Sequence, residues 1–273
     1  MQPIDWAGAN RQPCPECSHG PKDRTCGVTL DERGGVAHCF RCGYIENRFD
    51  DEVCTRAGRP MRRAATPSRH EVLSDYGREL WNACRPVSGA ARAYLEARCC
   101  VIPPADGDLR YQPELKHPSG CIGPALVALV TDAVTREPLT LHRTWVRADG
   151  TKAPLDPPRM LLGGHRKQGG VVRLWPDEMV SMGLGVGEGI ESALSLAHAF
   201  TPVWACLDAG NLAALPVLAG IEALTIAADN DENGIGIAAA KTCAARWAAQ
   251  GSEVRIVMTE DKGDMNDAAR LFA

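Results

Sequence analysis

The chain has 273 residues, 45% of them hydrophobic and 23% charged, with a formal net charge of −4. That length leaves room for about two domains, and the apolar content supports a packed core. No run approaches the ~20 apolar residues of a membrane-spanning helix, and Met1-Gln2-Pro3-Ile4-Asp5-Trp6 lacks the basic head and apolar body of a signal peptide, so the sequence predicts a cytoplasmic protein with no membrane partner.

The charge is unevenly placed. Residues 181–273 hold 5 Lys/Arg against 12 Asp/Glu, whereas residues 1–180 hold 25 against 22. An acidic carboxyl-terminal part suits metal binding and a basic amino-terminal part suits a polyanion, although uneven solvated faces would give the same count.

The first element is a pair of CxxC knuckles, Cys14-Pro15-Glu16-Cys17 and Cys39-Phe40-Arg41-Cys42, separated by 21 residues. Each knuckle presents two thiolates to one ion from a tight turn, and two at this separation predict a four-cysteine Zn²⁺ ribbon over residues 1–54. Residues 25–30 and 36–40 read as a hairpin with its turn at 31–35. Cys26 and His38 are substitute ligands without knuckle spacing. The remaining cysteines are scattered and read as core filling.

Residues 55–70 carry Arg56, Arg59, Arg62, Arg63 and Arg69 with two prolines and no acid, the composition of a basic linker or solvated tether. Residues 71–180 then read as a mixed α+β region. Leu73, Tyr76, Leu80 and Trp81 have helical spacing over 71–84, and Ser88 opens a second helix over 88–98. Apolar 125–130 and alternating 139–146 read as strands, with Leu141, Arg143 and Trp145 on one face. Arg143, Lys152 and Arg173 are the cations here that could hold phosphates, the alternative being ordinary surface charge.

Residues 181–273 alternate strand and helix. Strands fall near 183–187, 203–207, 222–228 and 253–258, and helices near 190–199, 236–250 and 265–272, with Asp208 to Asn211 as a loop. This is the rhythm of an α/β domain with a parallel sheet and flanking helices. Two acidic clusters stand where strands end: Glu188-Gly189-Ile190-Glu191 and Asp229-Asn230-Asp231. Ligands of open parallel sheets bind beyond the carboxyl ends of strands. Glu188, Asp229 and Asp231 therefore converge on one rim, where their repulsion is relieved most simply by Mg²⁺. Helix capping is the other reading of such acids.

A Glu after one strand, a DxD pair after a later one and Asp264 after the next resembles the Toprim domain of primases, topoisomerases and OLD-type nucleases. By that resemblance Glu188 matches the catalytic glutamate, Asp229 and Asp231 the metal ligands for Mg²⁺ or Mn²⁺, and Asp264, with Asn266 and Asp267 beside it, the further acid of primase-type domains. Zinc ribbon, basic β region and Toprim domain in that order resemble bacterial and phage-type DNA primases. Cys14, Cys17, Cys39 and Cys42 match the ribbon, and the stretch from Leu141 to Pro154 is similar to the region before Toprim in plasmid- and phage-encoded members. The resemblance implies synthesis of short RNA primers from ribonucleoside triphosphates on single-stranded DNA. Arg143, Lys152 and Arg173 would bind template or nucleotide. No GxxxxGK[ST] loop is present, so a helicase would be a separate partner. A Toprim nuclease and a non-catalytic nucleic-acid-binding protein are the competing readings.

Overall fold

The computed structural model describes residues 3–6, 8, 10–18, 20, 22–31, 34–39, 41, 42, 44–48, 70–230, 232–259, 262, 263, 265, 266 and 269. The five arginines of the linker lie outside the described residues, as do Asp231, Asp264 and Asp267. The chain divides into two compact units, Met1–Thr66 and Pro67–Ala273.

In the first unit β1 (Arg11–Gln12), β2 (Cys26–Asp31), β3 (Gly34–Cys39) and β4 (Ile45–Arg48) form an antiparallel sheet in sequence order. The predicted hairpin is β2–β3, with Cys26 opposite Cys39. Its apolar core is small, built on Ile4, Val28 and Ala37, and buried Cys14, Cys26 and Cys39 complete it. A core of this size supplies little stability by itself, which is where a metal-held staple matters.

The second unit begins with α1 (Asp75–Asn82), β5 (Arg85–Pro86) and α2 (Gly89–Ala97), followed by β6 (Leu109–Lys116), β7 (Ile122–Asp132), β8 (Pro138–Trp145), β9 (Arg159–Leu161) and β10 (Gly170–Val171). The five strands β5 to β9 make an antiparallel sheet in sequence order, and β10 pairs with β7. Because β7 is buried on both faces, it reads as a continuous apolar run rather than an alternation. Helix α1 starts at Asp75, not at residue 71. The Ser74 hydroxyl caps it by accepting from Gly77 N at 3.3 Å, so Leu73 packs beneath the sheet from outside the helix and Tyr76 stays exposed.

The chain then builds β11 (Gly183–Gly187), α3 (Ile190–Leu196), β12 (Val203–Ala205), α4 (Ala209–Ala214), β13 (Ala223–Ala227), α5 (Ile235–Ala248) and β14 (Glu253–Val257). The four strands are parallel in the order β12-β11-β13-β14. The fold class is therefore the expected one: a parallel sheet with flanking helices, preceded by a mixed α+β region and an amino-terminal cysteine cluster. Residues 208–211, expected as a loop, start α4, because the Asp208 side chain accepts from Asn211 N at 2.9 Å. One core joins the two sheets: Leu126, Ala128 and Val130 of β7 and Tyr94 and Leu95 of α2 pack with Ala193 and Leu194 of α3. The opposite face of β7 and β8, with Val127, Leu141 and Trp145, covers Leu73 instead. Among the described residues no helix is long and apolar enough to cross a membrane.

Candidate metal centre on the parallel-sheet rim

Glu188 follows the last residue of β11, and Asp229 stands two residues beyond β13. These strands are adjacent, with Gly187 opposite Ala227. Neighbouring strands lie ~4.8 Å apart, so the two residues stand at neighbouring strand ends on one rim of the sheet. Two glycines let the following helices seat tightly there. A Cβ on Gly187 would lie 2.7 Å from Ala193 N, and one on Gly236 would lie 2.6 Å from the Asp229 carbonyl oxygen. Asp229 Oδ1 accepts from the Ser192 hydroxyl at 2.9 Å, which ties the β13 acid to the helix that follows Glu188.

The next loops are stitched to this pair. Asn230 N donates to the Gly263 carbonyl at 2.9 Å, and Gly263 N donates back at 3.3 Å. Asn230 Nδ2 donates to Thr259 O at 3.1 Å, and Lys262 donates to Asn230 Oδ1 at 3.1 Å. The residue between the two aspartates of the DxD pair is thus bonded to the residue before Asp264. Asn266 is fully buried. Its amide donates to Arg98 O, to Ser195 Oγ at 3.1 Å and to Cys100 Sγ at 3.4 Å. Asp208, at the end of β12, is held by Lys167 at 2.7 Å.

Residues 183–271 match the Toprim domain. The parallel sheet and its helices are a Toprim domain. Residues 72–174, which include α1 and the antiparallel strands, match a domain of unknown function, DUF7146. No curated protein matches the chain. Toprim domains bind Mg²⁺ in general and occur in enzymes such as primases and nucleases, so a metal-dependent role connected with nucleic acid follows. The donors present fit such an ion. Glu188 and Asp229 offer hard oxygen ligands from adjacent strand ends, and Ser192 orients one of them.

A second polar cluster was not anticipated from the sequence. Glu191, on the first turn of α3, is buried; its Oε1 accepts from Tyr94 Oη at 2.7 Å and its Oε2 from Arg159 Nη1 at 3.4 Å. Burial pushes this carboxyl up, but Arg159, the Tyr94 hydroxyl and Lys152 outweigh burial and leave it below the usual glutamate value. Glu191 stands three residues after Glu188, but its partners come from α2 and β9, which nothing local in the sequence announces.

The three cations singled out from the sequence have different surroundings. Lys152 acts electrostatically on both Glu191 and His142. Arg143 points to the other face of the antiparallel sheet, where it is buried, donates to Leu161 O at 2.9 Å and lies 5.3 Å from the Trp145 ring. Burial pushes its guanidinium down. Arg173 is buried over the Trp204 ring at 4.6 Å; it donates to Asp177 at 2.7 Å, to Asp132 O at 3.2 Å, to Ala133 O at 3.1 Å and to Thr131 Oγ1. The structure thus brings Arg143 and Arg173 to internal contacts.

His142 lies in β8 on the face opposite Arg143. Burial pushes its imidazole down to about 4; Glu191 opposes that shift, while Arg159, Arg143 and Lys152 add to it. A folded value below the ordinary 6.5 means that the unfolded chain gains a proton first as pH falls. The stability tied to neutral His142 is complete above pH ~6.5 and is lost toward pH ~4, by about 3 kcal/mol in all. The difference in unfolding free energy between the wild type and His142→Gln should therefore be constant above pH 7 and shift in favour of the variant between pH 6.5 and 4. Chemical denaturation across that range measures it, and a difference independent of pH would contradict it.

In the amino-terminal unit Cys14, Cys17, Cys39 and Cys42 bring their sulfurs within 4.8 Å of one another. The Cys14–Cys42 and Cys17–Cys39 pairs are 3.7 and 3.5 Å apart. Zinc bound tetrahedrally at ~2.3 Å per thiolate separates sulfurs by about 3.8 Å, so this set could hold Zn²⁺. Glu16 N donates to Cys14 Sγ and Arg41 N to Cys39 Sγ, each at 3.4 Å. The thiols titrate together: the Cys42 and Arg41 backbone groups outweigh burial and bring Cys39 down to about 6, while burial and hydrogen bonds with the other three thiols push Cys17 up to about 12. Cys26 and His38 are not members of the cluster.

Proposed function

We propose that the protein is a DNA primase that joins ribonucleotides into short RNA primers on single-stranded DNA. The observation that carries this reading is the joint presence, in one chain, of a Toprim carboxylate rim and a four-cysteine knuckle cluster. A nuclease uses a similar rim but has little need of a ribbon to grip template. In this reading Glu188, Asp229, Asp231 and Asp264 form the catalytic rim. Bound Mg²⁺ or Mn²⁺ supplies charge neutralisation for the nucleotide phosphates and activation of the primer 3′-hydroxyl. The cysteines hold Zn²⁺ and the ribbon holds template. Of the three sequence-selected cations, Lys152 is kept at the substrate, while Arg143 and Arg173 support it from within the fold. A replicative helicase is a separate partner, and the cytoplasm is where these substrates meet.

Incubation with labelled ribonucleotides, Mg²⁺ and mixed-sequence single-stranded templates tests the proposal. Short RNA that depends on template supports it. Shortening of the template favours a nuclease, and binding with neither product favours a non-catalytic module.

A further inference from the structure

Glu191 belongs to the same motif as Glu188 but has been diverted from the rim. Its side chain is 10% exposed, and both carboxylate oxygens are claimed, one by Tyr94 and one by Arg159. The Oε2 atom lies 3.9 Å from where a Cβ on Gly189 would stand, so the carboxylate folds back beside the residue that follows Glu188. Arg159 reaches this point from β9, in the domain of unknown function. Its side chain is 43% exposed, and among the described residues Glu191 is its only hydrogen-bond partner. A guanidinium has five N–H donors in a planar fork suited to phosphate. Glu191 takes one of them, and the donors left over stand beside the acidic rim, which suits a ligand whose negative charge extends past the metal.

We propose that Arg159 contacts the triphosphate of an incoming nucleotide at the Toprim rim and that Glu191 is the positioning residue that holds it there. This rests on the nucleotidyl-transfer reading above. The domain of unknown function then contributes a substrate group to the Toprim centre, and Glu191 serves as a countercharge instead of a metal ligand.

Isothermal titration of the full chain with Mg²⁺ and each ribonucleoside triphosphate or monophosphate provides the test, with single-stranded oligonucleotide binding followed in parallel. Arg159→Ala should weaken triphosphate binding ~10-fold or more while changing monophosphate binding less than about twofold, because only the longer phosphate chain reaches the fork. Arg159→Lys should recover part of the loss. Glu191→Gln should keep Mg²⁺ affinity and lower triphosphate affinity several-fold, and thermal melting of each variant reports whether it is folded. A wild-type ratio of triphosphate to monophosphate affinity in folded Arg159→Ala overturns the proposal. So does a loss confined to oligonucleotide binding, which would make the DNA backbone the source of the phosphate. Loss of Mg²⁺ binding in Glu191→Gln overturns its positioning role. If the wild type makes RNA and Arg159→Ala binds triphosphates normally, only this inference fails; if the wild type neither binds nucleotides nor makes RNA, the primase reading fails with it.

Discussion

Glu188→Gln and Asp229→Asn are each expected to lower Mg²⁺-dependent synthesis by about a thousandfold or more, with the fold intact. Both residues follow the carboxyl ends of adjacent parallel strands, and both amides preserve side-chain volume. Asn at 229 can still accept from Ser192, so that link to α3 survives. What changes is charge. Neutralising one of two neighbouring carboxylates removes repulsion in the metal-free protein, so the melting temperature should stay level or rise. Mg²⁺ should raise the wild-type melting temperature more than that of either variant, since only a ligand that binds the folded state stabilises it. Melting curves with and without Mg²⁺, beside a primer-synthesis assay, measure both effects. Near wild-type synthesis in either variant would remove the residue from the metal centre.

The second large effect is expected at the other end of the chain. Cys39→Ser should reduce bound zinc from about one per protein to nearly none and abolish most template-dependent initiation. Cys39 is buried in the small core of the amino-terminal unit, opposite Cys26 in the β2–β3 pair, so its loss strikes both the four-cysteine cluster and the strand pairing. Losing one of four ligands usually unfolds so small a metal-held module. Metal analysis of the purified variant gives the first number and initiation on single-stranded templates gives the second. Normal initiation at the same template positions would assign the ribbon another task, such as docking a helicase.

How much of this could be read from the chain depends on whether the cause is local. Strands β11 and β13 are short apolar runs that end at an acid, and the parallel order follows from their alternation with helices; the placement of Glu188 and Asp229 just beyond adjacent strands was therefore legible. The knuckles were legible because two cysteines three apart already specify a turn around a metal. Strand β6 was not legible. Residues 110–114 are polar and include Pro113, and the ladder breaks there, with a register shift between Gln112 and Leu115. Helix α4 begins with Ala209-Gly210-Asn211, a loop composition, and exists because Asp208 caps it. Tyr76 has core spacing, but α1 turns Gly77, Leu80 and Trp81 toward the core and leaves Tyr76 exposed. The Glu191 cluster was the largest omission. Its partners are 97 residues away at Tyr94 and 32 residues away at Arg159, so only the packing of two sheets against α3 creates it. Burial of Arg173 in contacts with the Asp132 and Ala133 carbonyls and Trp204 is hidden for the same reason, since an arginine in sequence gives no sign of where its donors go.

We propose above that the carboxylate rim makes RNA on a DNA template. The most direct measurement is sequencing of the labelled products formed by the wild type and by Glu188→Gln on one defined single-stranded template. Short ribonucleotide chains complementary to that template, present with the wild type and absent with the variant at equal folded concentration, are the predicted result. Products unrelated to the template, or products unchanged in Glu188→Gln, would rule out template-directed synthesis at this rim.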